Sequence, residues 1–128
     1  MLQRNKIMIV DDNPIDQLIT EYLLTHSYKK KDILIMPSAA EALSYLDTYL
    51  HIPEALPCLI LLDLDMPVMN GYGFLQEFRK YGEHVLKNCK IIVITASEIH
   101  ADLEKMTADP LVVKLINKPL HRNSLVFE

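Results

Sequence analysis

The sequence predicts an α/β fold, a doubly wound, five-stranded parallel sheet with helices on both faces, and three observations carry that expectation. Five short apolar runs recur along the 128 residues, at 7–10, 33–36, 58–62, 91–94 and 112–116. They are rich in Ile, Leu and Val and, apart from Lys114 in the last, lack polar–apolar alternation, as expected of parallel strands covered on both faces. Segments with helical spacing separate them, and strand–helix alternation without repeats, low-complexity tracts or linkers builds a single sheet sandwiched by helices. The length is that of one domain, residues 1–128.

Each helix has its own signal. After the first run, Asn13 and Pro14 mark a helix start, and Ile15, Leu18, Ile19, Tyr22 and Leu23 put one apolar stripe on that helix, the kind that faces a core. The second helix is expected from Ser38, where Ser38 and Glu41 form a capping-box pattern; it buries Ala39, Ala42, Leu43 and Leu46 and ends before Pro53 and Pro57. A third follows Gly71 and carries Phe74, Leu75 and Phe78. A fourth runs over about 97–106 with a thinner stripe of Ile99, Leu103 and Met106, and Pro110 stops it. Beyond Pro119 nine residues remain, enough for about two turns of a fifth helix.

Composition narrows the function. Half the residues are hydrophobic and 23% are charged, the balance of a chain that buries a core. Thirteen basic and seventeen acidic side chains give a net charge of −4, and Lys29-Lys30-Lys31 is the one basic cluster, so a nucleic-acid backbone is not the expected partner. That run is expected in a solvated turn. Cys58 and Cys89 have neither CxxC nor Cys/His spacing, and the five histidines show no metal-ligand spacing, so a zinc site or disulfide framework is not expected. No apolar stretch suits a signal peptide or a membrane span, and a reducing cytoplasm is the expected compartment.

In an open α/β sheet, ligands bind outside the carboxyl ends of the strands. The first run ends in Asp11-Asp12, the third in Asp63, the fourth in Thr95 and the fifth in Asn117-Lys118-Pro119. Three carboxylates in one crevice repel one another unless a cation neutralises them. Magnesium suits such a set, because it takes oxygen ligands, keeps several waters and needs only one or two protein carboxylates beside phosphate oxygens. Thr95 and Lys118 on neighbouring strand ends can hold two further phosphoryl oxygens, leaving one carboxylate as nucleophile for an in-line transfer. The residues point to an aspartyl-phosphate site.

At these residues the chain resembles a known family. Val10-Asp11-Asp12-Asn13, the stretch Leu62-Asp63-Leu64-Asp65-Met66-Pro67-Val68-Met69-Asn70-Gly71, Val93-Ile94-Thr95-Ala96 and Lys118-Pro119 are similar to the receiver domain of two-component response regulators, in order and spacing, over essentially the whole chain. The resemblance implies a flavodoxin-like sheet of strand order 2-1-3-4-5. It implies that Asp63 is the phosphoacceptor, phosphorylated from a histidine of a sensor histidine kinase or histidine phosphotransfer protein. Asp11, Asp12, the Asp63 carboxylate and the Asp65 backbone carbonyl would hold Mg2+. Thr95 and Lys118 would bind phosphoryl oxygens, with a cis Lys118-Pro119 bond, and an unidentified downstream protein would read the signal by contact or phosphorelay. Met66, Pro67 and Gly71 would shape the adjoining loop, Gly71 by permitting a left-handed turn. Asp65 and Ser97, two residues beyond Asp63 and Thr95, occupy positions that tune hydrolysis of the phosphoryl group in similar proteins.

One position departs from the family. Three residues before the lysine, where receivers usually carry an aromatic that moves with the threonine, this chain has Leu115. Either Leu115 repacks when Thr95 moves, or the domain relays phosphate without much conformational signalling. Two rivals come from other classes. Asp63-Leu64-Asp65 is similar to the nucleophile and acid pair of haloacid-dehalogenase-type phosphohydrolases, but it lies mid-chain, is followed by Pro67 and leaves Asp11-Asp12 without a role. The other is a receiver-like interaction module that is never phosphorylated, which the intact set of Asp11, Asp12, Asp63, Thr95 and Lys118 disfavours. A flavodoxin-like electron carrier would need a phosphate-cradling loop where the aspartates stand.

Overall fold

The computed structural model describes residues 5–27, 32–66, 69–96 and 100–125. Five strands, β1 (Lys6–Val10), β2 (Asp32–Met36), β3 (Leu59–Asp63), β4 (Lys90–Thr95) and β5 (Val112–Asn117), form one parallel sheet in the order β2-β1-β3-β4-β5. Chain order reverses between β1 and β3, so the ends of these two central strands flank the crevice where open α/β sheets bind ligands. The described helices are α1 (Pro14–Ser27), α2 (Ala39–Thr48), α3 (Gly71–Phe78), α4 (Glu83–Asn88) and α5 (His100–Ala108), with a 3-10 turn at Pro53–Ala55.

Alternate side chains of a strand point to opposite faces, and here that divides the core in two. Met8, Val10, Ile60, Leu62, Ile91 and Val93 meet Ala39, Ala42 and Leu46 of α2 and Phe74 and Phe78 of α3 on one side. Ile7, Ile9, Leu61, Ile92 and Ile94 meet Leu23 and Leu24 of α1, with Ile116 and Leu125, on the other. Both-face burial holds for the three central strands and fails at the edges. β2 is only half-buried beyond its exposed first residue, and β5 leaves Lys114 exposed and Val113 56% exposed.

Caps match the sequence signals. The Asn13 side-chain oxygen accepts from the amides of Ile15 and Asp16 at the start of α1, at 2.9 and 3.1 Å. The Ser38 hydroxyl accepts from the Glu41 amide at 3.1 Å for α2, and the Asn70 side chain accepts from the Gly73 amide at 3.1 Å for α3.

Several expectations need correction. The stripe on α1 faces outward: Ile15, Leu18, Ile19 and Tyr22 are 68%, 65%, 43% and 70% exposed, and of the five only Leu23 is buried. The sheet side of the helix is Thr20, Leu23 and Leu24, at the same helical spacing but rotated around the axis, so a buried threonine stands where an apolar residue would have signalled the face. Leu43 of α2 is half-buried. The helix α4 had no signal, since its six residues bury only Val85. After the cis Lys118-Pro119 bond, residues 119–125 form turns rather than a helix, with the Ser124 amide donating to the His121 carbonyl at 3.0 Å. The expected start of the fourth helix over 97–99 and the Lys29-Lys30-Lys31 turn lie outside the described residues.

Gly71 is also corrected, because no described glycine has a positive φ. Its role is steric: a Cβ there would sit 2.9 Å from both Leu64 Cα and Leu64 Cδ1 and 3.3 Å from the Asp63 carbonyl oxygen. The first turn of α3 therefore packs its backbone directly against the end of β3. Gly71→Ala is expected to cost about 1–3 kcal/mol, the range for overpacking against a backbone atom that cannot yield cheaply. Urea unfolding of the variant beside the parent checks this, and equal midpoints would refute the close-approach account.

Candidate functional site

The carboxyl edge of the sheet gathers the predicted residues because each lies at, or just beyond, a strand end. The Asp11 amide donates to the Met36 carbonyl at 3.1 Å, which extends the β1–β2 ladder by one residue and turns Asp11 into the crevice, 4% exposed. Its carboxylate accepts from the Asn13 amide at 3.0 Å, and the Gln17 side chain donates to its carbonyl at 2.6 Å. Asp63 ends β3 and is 4% exposed, its carboxylate accepting from the Asp65 amide at 3.1 Å. Thr95 ends β4, fully buried. The Lys118 amide donates to the Thr95 carbonyl at 2.8 Å, which pins the lysine beside β4.

Carboxylate oxygens of Asp11, Asp12 and Asp63 lie within 4.8 Å of one another, two of these residues buried and Asp12 exposed. Burial is the main cause that pushes the Asp11 carboxyl up to about 6; the Asn13 amide opposes the shift and the Asp63 charge adds to it. Burial likewise pushes Asp63 upward, against the Asp65 amide and the Lys118 charge. Such a cluster is unfavourable when fully ionised and becomes favourable around a hard cation, so the residues present fit a divalent ion with oxygen ligands.

Lys118 is the nearby counter-charge. Its ammonium nitrogen lies 3.6 Å from Asp63 Oδ1 and 3.8 Å from Asp11 Oδ2, but its shortest contact, 2.8 Å, is to Asp16 Oδ2 in the first turn of α1. Burial lowers the lysine pKa, yet the Asp16 hydrogen bond and the Asp63 and Asp11 charges outweigh it, so the net shift is upward and the group stays a cation. Asp16 is absent from the sequence-based expectations. Its only signal is an acidic residue in a first helical turn that itself follows a strand-end aspartate pair.

Asp65 has a definite destination. Its Oδ2 accepts from the Thr95 hydroxyl at 3.0 Å and from the Ala96 amide at 3.1 Å, bridging the loop after β3 to the end of β4. The structure thus brings Asp11, Asp12, Asp63, Asp65, Thr95 and Lys118 to one edge. Leu115 stays apart from them: in β5 it pairs with Val93, is half-buried and packs into the core on the α2–α3 side. Met66 is buried in that same core, and Pro67 and Ser97 lie outside the described residues. Cys58 and Cys89 form no disulfide, and the described side chains of His26, His51, His84 and His121 are exposed. Among the described residues no helix is long and apolar enough to cross a membrane.

Comparison with known proteins finds likeness over most of the chain. A family model described as the response regulator receiver domain matches residues 7–127. Hybrid signal transduction histidine kinase C of Dictyostelium discoideum is 28% identical over 89% of this chain, which spans only 9% of that relative. Response regulator Rcp1 of Synechocystis sp. is 28% identical over 76% of this chain and 65% of its own length. A two-component response regulator from Cytophaga hutchinsonii superposes with a TM-score of 0.84 over 96% of this chain and 92% of the other, at 20% identity, a likeness of fold.

Proposed function

This chain belongs to the response regulator receiver domain family of two-component signalling, and we propose that residues 1–128 act as one receiver that takes a phosphoryl group onto Asp63. The observation that carries the assignment is the Lys118 ammonium 3.6 Å from Asp63 Oδ1, within a crevice where Asp11 and Asp12 add two carboxylate oxygens inside 4.8 Å. In the transfer an Asp63 oxygen forms the new bond to phosphorus while the phosphorus–nitrogen bond to a donor histidine breaks, and the imidazole leaves and regains its proton from solvent. Lys118 pairs with one phosphoryl oxygen, and the Thr95 hydroxyl donates to another. Asp11, Asp12, Asp63 and the Asp65 backbone carbonyl are the residues to hold magnesium, which when bound neutralises the carboxylates and offers a positive centre to the phosphoryl oxygens. The chain promotes only its own phosphorylation and dephosphorylation. The Asp65 carboxylate is engaged by Thr95 and Ala96, which speaks against the general-acid role a dehalogenase-type phosphohydrolase would require.

The donor is a sensor histidine kinase or a histidine phosphotransfer protein in the cytoplasm. To reach Asp63 it must cover the strand edge, and the adjoining surface is the outward apolar ridge of α1, with Ile15, Leu18, Ile19 and Tyr22 exposed. A groove lined by Asp16, Ile19, Thr20, Ala96, Lys118, Pro119 and Leu120 joins that ridge to the site. An exposed apolar ridge continuous with the chemistry fits an apolar helical face that carries the donor histidine. Leu18→Asp is expected to slow transfer from the phosphorylated donor about tenfold or more, as loss of a central apolar contact does, while acetyl phosphate still labels the variant. Equal slowing with both donors would place Leu18 outside the docking face. The assignment as a whole is tested by intact mass after incubation with magnesium and acetyl phosphate. One phosphoryl group per chain, lost with a chelator, is the expected result, and no adduct, or sustained hydrolysis of a phosphomonoester substrate, would overturn it.

A further inference from the structure

Resting on the assignment of Asp63 as phosphoacceptor, we infer that the Asp65 carboxylate is a built-in competitor for the phosphoryl group, occupying the donor pair of Thr95 and Ala96 until phosphorylation displaces it. Its Oδ2 takes two hydrogen bonds at once, from the Thr95 hydroxyl at 3.0 Å and the Ala96 amide at 3.1 Å. A single oxygen anion held by a hydroxyl and a backbone amide at a strand end is how a phosphoryl oxygen would be held there. Both donors belong to the strand end beside β3, and the Asp65 amide itself donates to Asp63 Oδ1 at 3.1 Å, so acceptor residue and competitor are tied together through one short loop.

The arrangement is suited to release. Thr95 is fully buried, where a hydrogen bond to an anionic oxygen is stronger than it would be in water. Asp65 is exposed, so its carboxylate can swing into water with its charge solvated. A phosphoryl group on Asp63 brings a second negative charge close to Asp65 and offers the donors a replacement oxygen. Asp65 therefore leaves as the phosphoryl oxygen arrives, and the Thr95 hydroxyl exchanges one anionic acceptor for another. Asp65 is a positioning residue on this account: it holds Thr95 and Ala96 in place in the resting domain and sets how much of the phosphoryl group's binding is spent on displacement.

Magnesium with beryllofluoride, a mimic of the aspartyl phosphoryl group, tests this in the whole chain by amide-resolved titration. Asp65→Ala is expected to bind beryllofluoride about tenfold more tightly than the parent, the worth of a charge-assisted hydrogen bond that no longer has to be exchanged. Asp65→Asn, which keeps an acceptor oxygen but no charge, should fall between the two. Before any addition, the Ala96 amide proton should lie upfield in Asp65→Ala relative to the parent, and beryllofluoride should return it downfield, a signature that a purely structural role would not give. Parent and Asp65→Ala binding with equal affinity, or the variant binding more weakly, would overturn the inference while leaving the phosphoacceptor intact. A parent that fails to bind, as Asp63→Asn must, would overturn both.

Discussion

Asp63→Asn is expected to take up no phosphoryl group from acetyl phosphate or from a phosphorylated histidine donor, whereas the parent takes up one per chain. An asparagine keeps the shape and an acceptor oxygen for the Asp65 amide, now 3.1 Å from Asp63 Oδ1, so the loop after β3 stays in place. What disappears is the anionic oxygen proposed to attack phosphorus, and neither Asp11 nor Asp65 is placed to replace it. Asp11 follows β1, which β3 separates from the β4 donors, and is tied to the Asn13 amide, while Asp65 is turned toward Thr95 and Ala96. The variant should also fold at least as firmly as the parent, because it removes a buried charge whose carboxyl burial already pushes upward. Labelling that persisted in Asp63→Asn would move the acceptor elsewhere in the crevice.

Asp11→Asn should stabilise the metal-free protein at neutral pH and cost it its response to magnesium. The Asp11 carboxyl stands at about 6 in the fold against an ordinary 3.8. A carboxyl raised by folding binds its proton more tightly in the native state, so it is neutral in both states below about 4 and destabilises the fold increasingly as pH rises through 6. A carboxyl raised that far destabilises by about 3 kcal/mol at most, and coupling to Asp63 makes about 1–3 kcal/mol the reasonable range. In a chelator, the parent should therefore lose stability between pH 4 and 7, and Asp11→Asn should flatten that decline. At roughly 3–5 °C per kcal/mol for a domain of this size, thermal melts resolve the difference. Magnesium should raise the parent melting temperature at pH 7 more than at pH 4.5, and should do little for the variant. A variant less stable than the parent at pH 7 would contradict the account of a strained carboxylate cluster.

The candidate site was legible because the residues expected there end or follow an apolar run. Asp11-Asp12, Asp63, Thr95 and Lys118 needed only the rule that strand ends share an edge, and the sheet of order β2-β1-β3-β4-β5 puts them there. Contacts that cross between elements were not legible. Asp16 reaches Lys118 across 102 positions and Asp65 reaches Thr95 across 30, and no local pattern encodes either approach. The orientation of α1 was not legible either, because its apolar ridge is the stronger periodic signal while Thr20 takes a core position. Tertiary context decided which of two faces met the sheet. The short α4 and the turns over 119–125 escaped for lack of length, since a few residues carry no period.

The central claim is that Asp63 carries the phosphoryl group. An acyl phosphate is reduced by borohydride to an alcohol, which converts a phosphorylated aspartate to homoserine and leaves free carboxylates unchanged. Peptide sequencing by mass spectrometry after magnesium, acetyl phosphate and borohydride should find homoserine at position 63 and aspartate retained at positions 11, 12, 16 and 65. Homoserine at any of those four positions, or none in a chain that had gained a phosphoryl group, would contradict it.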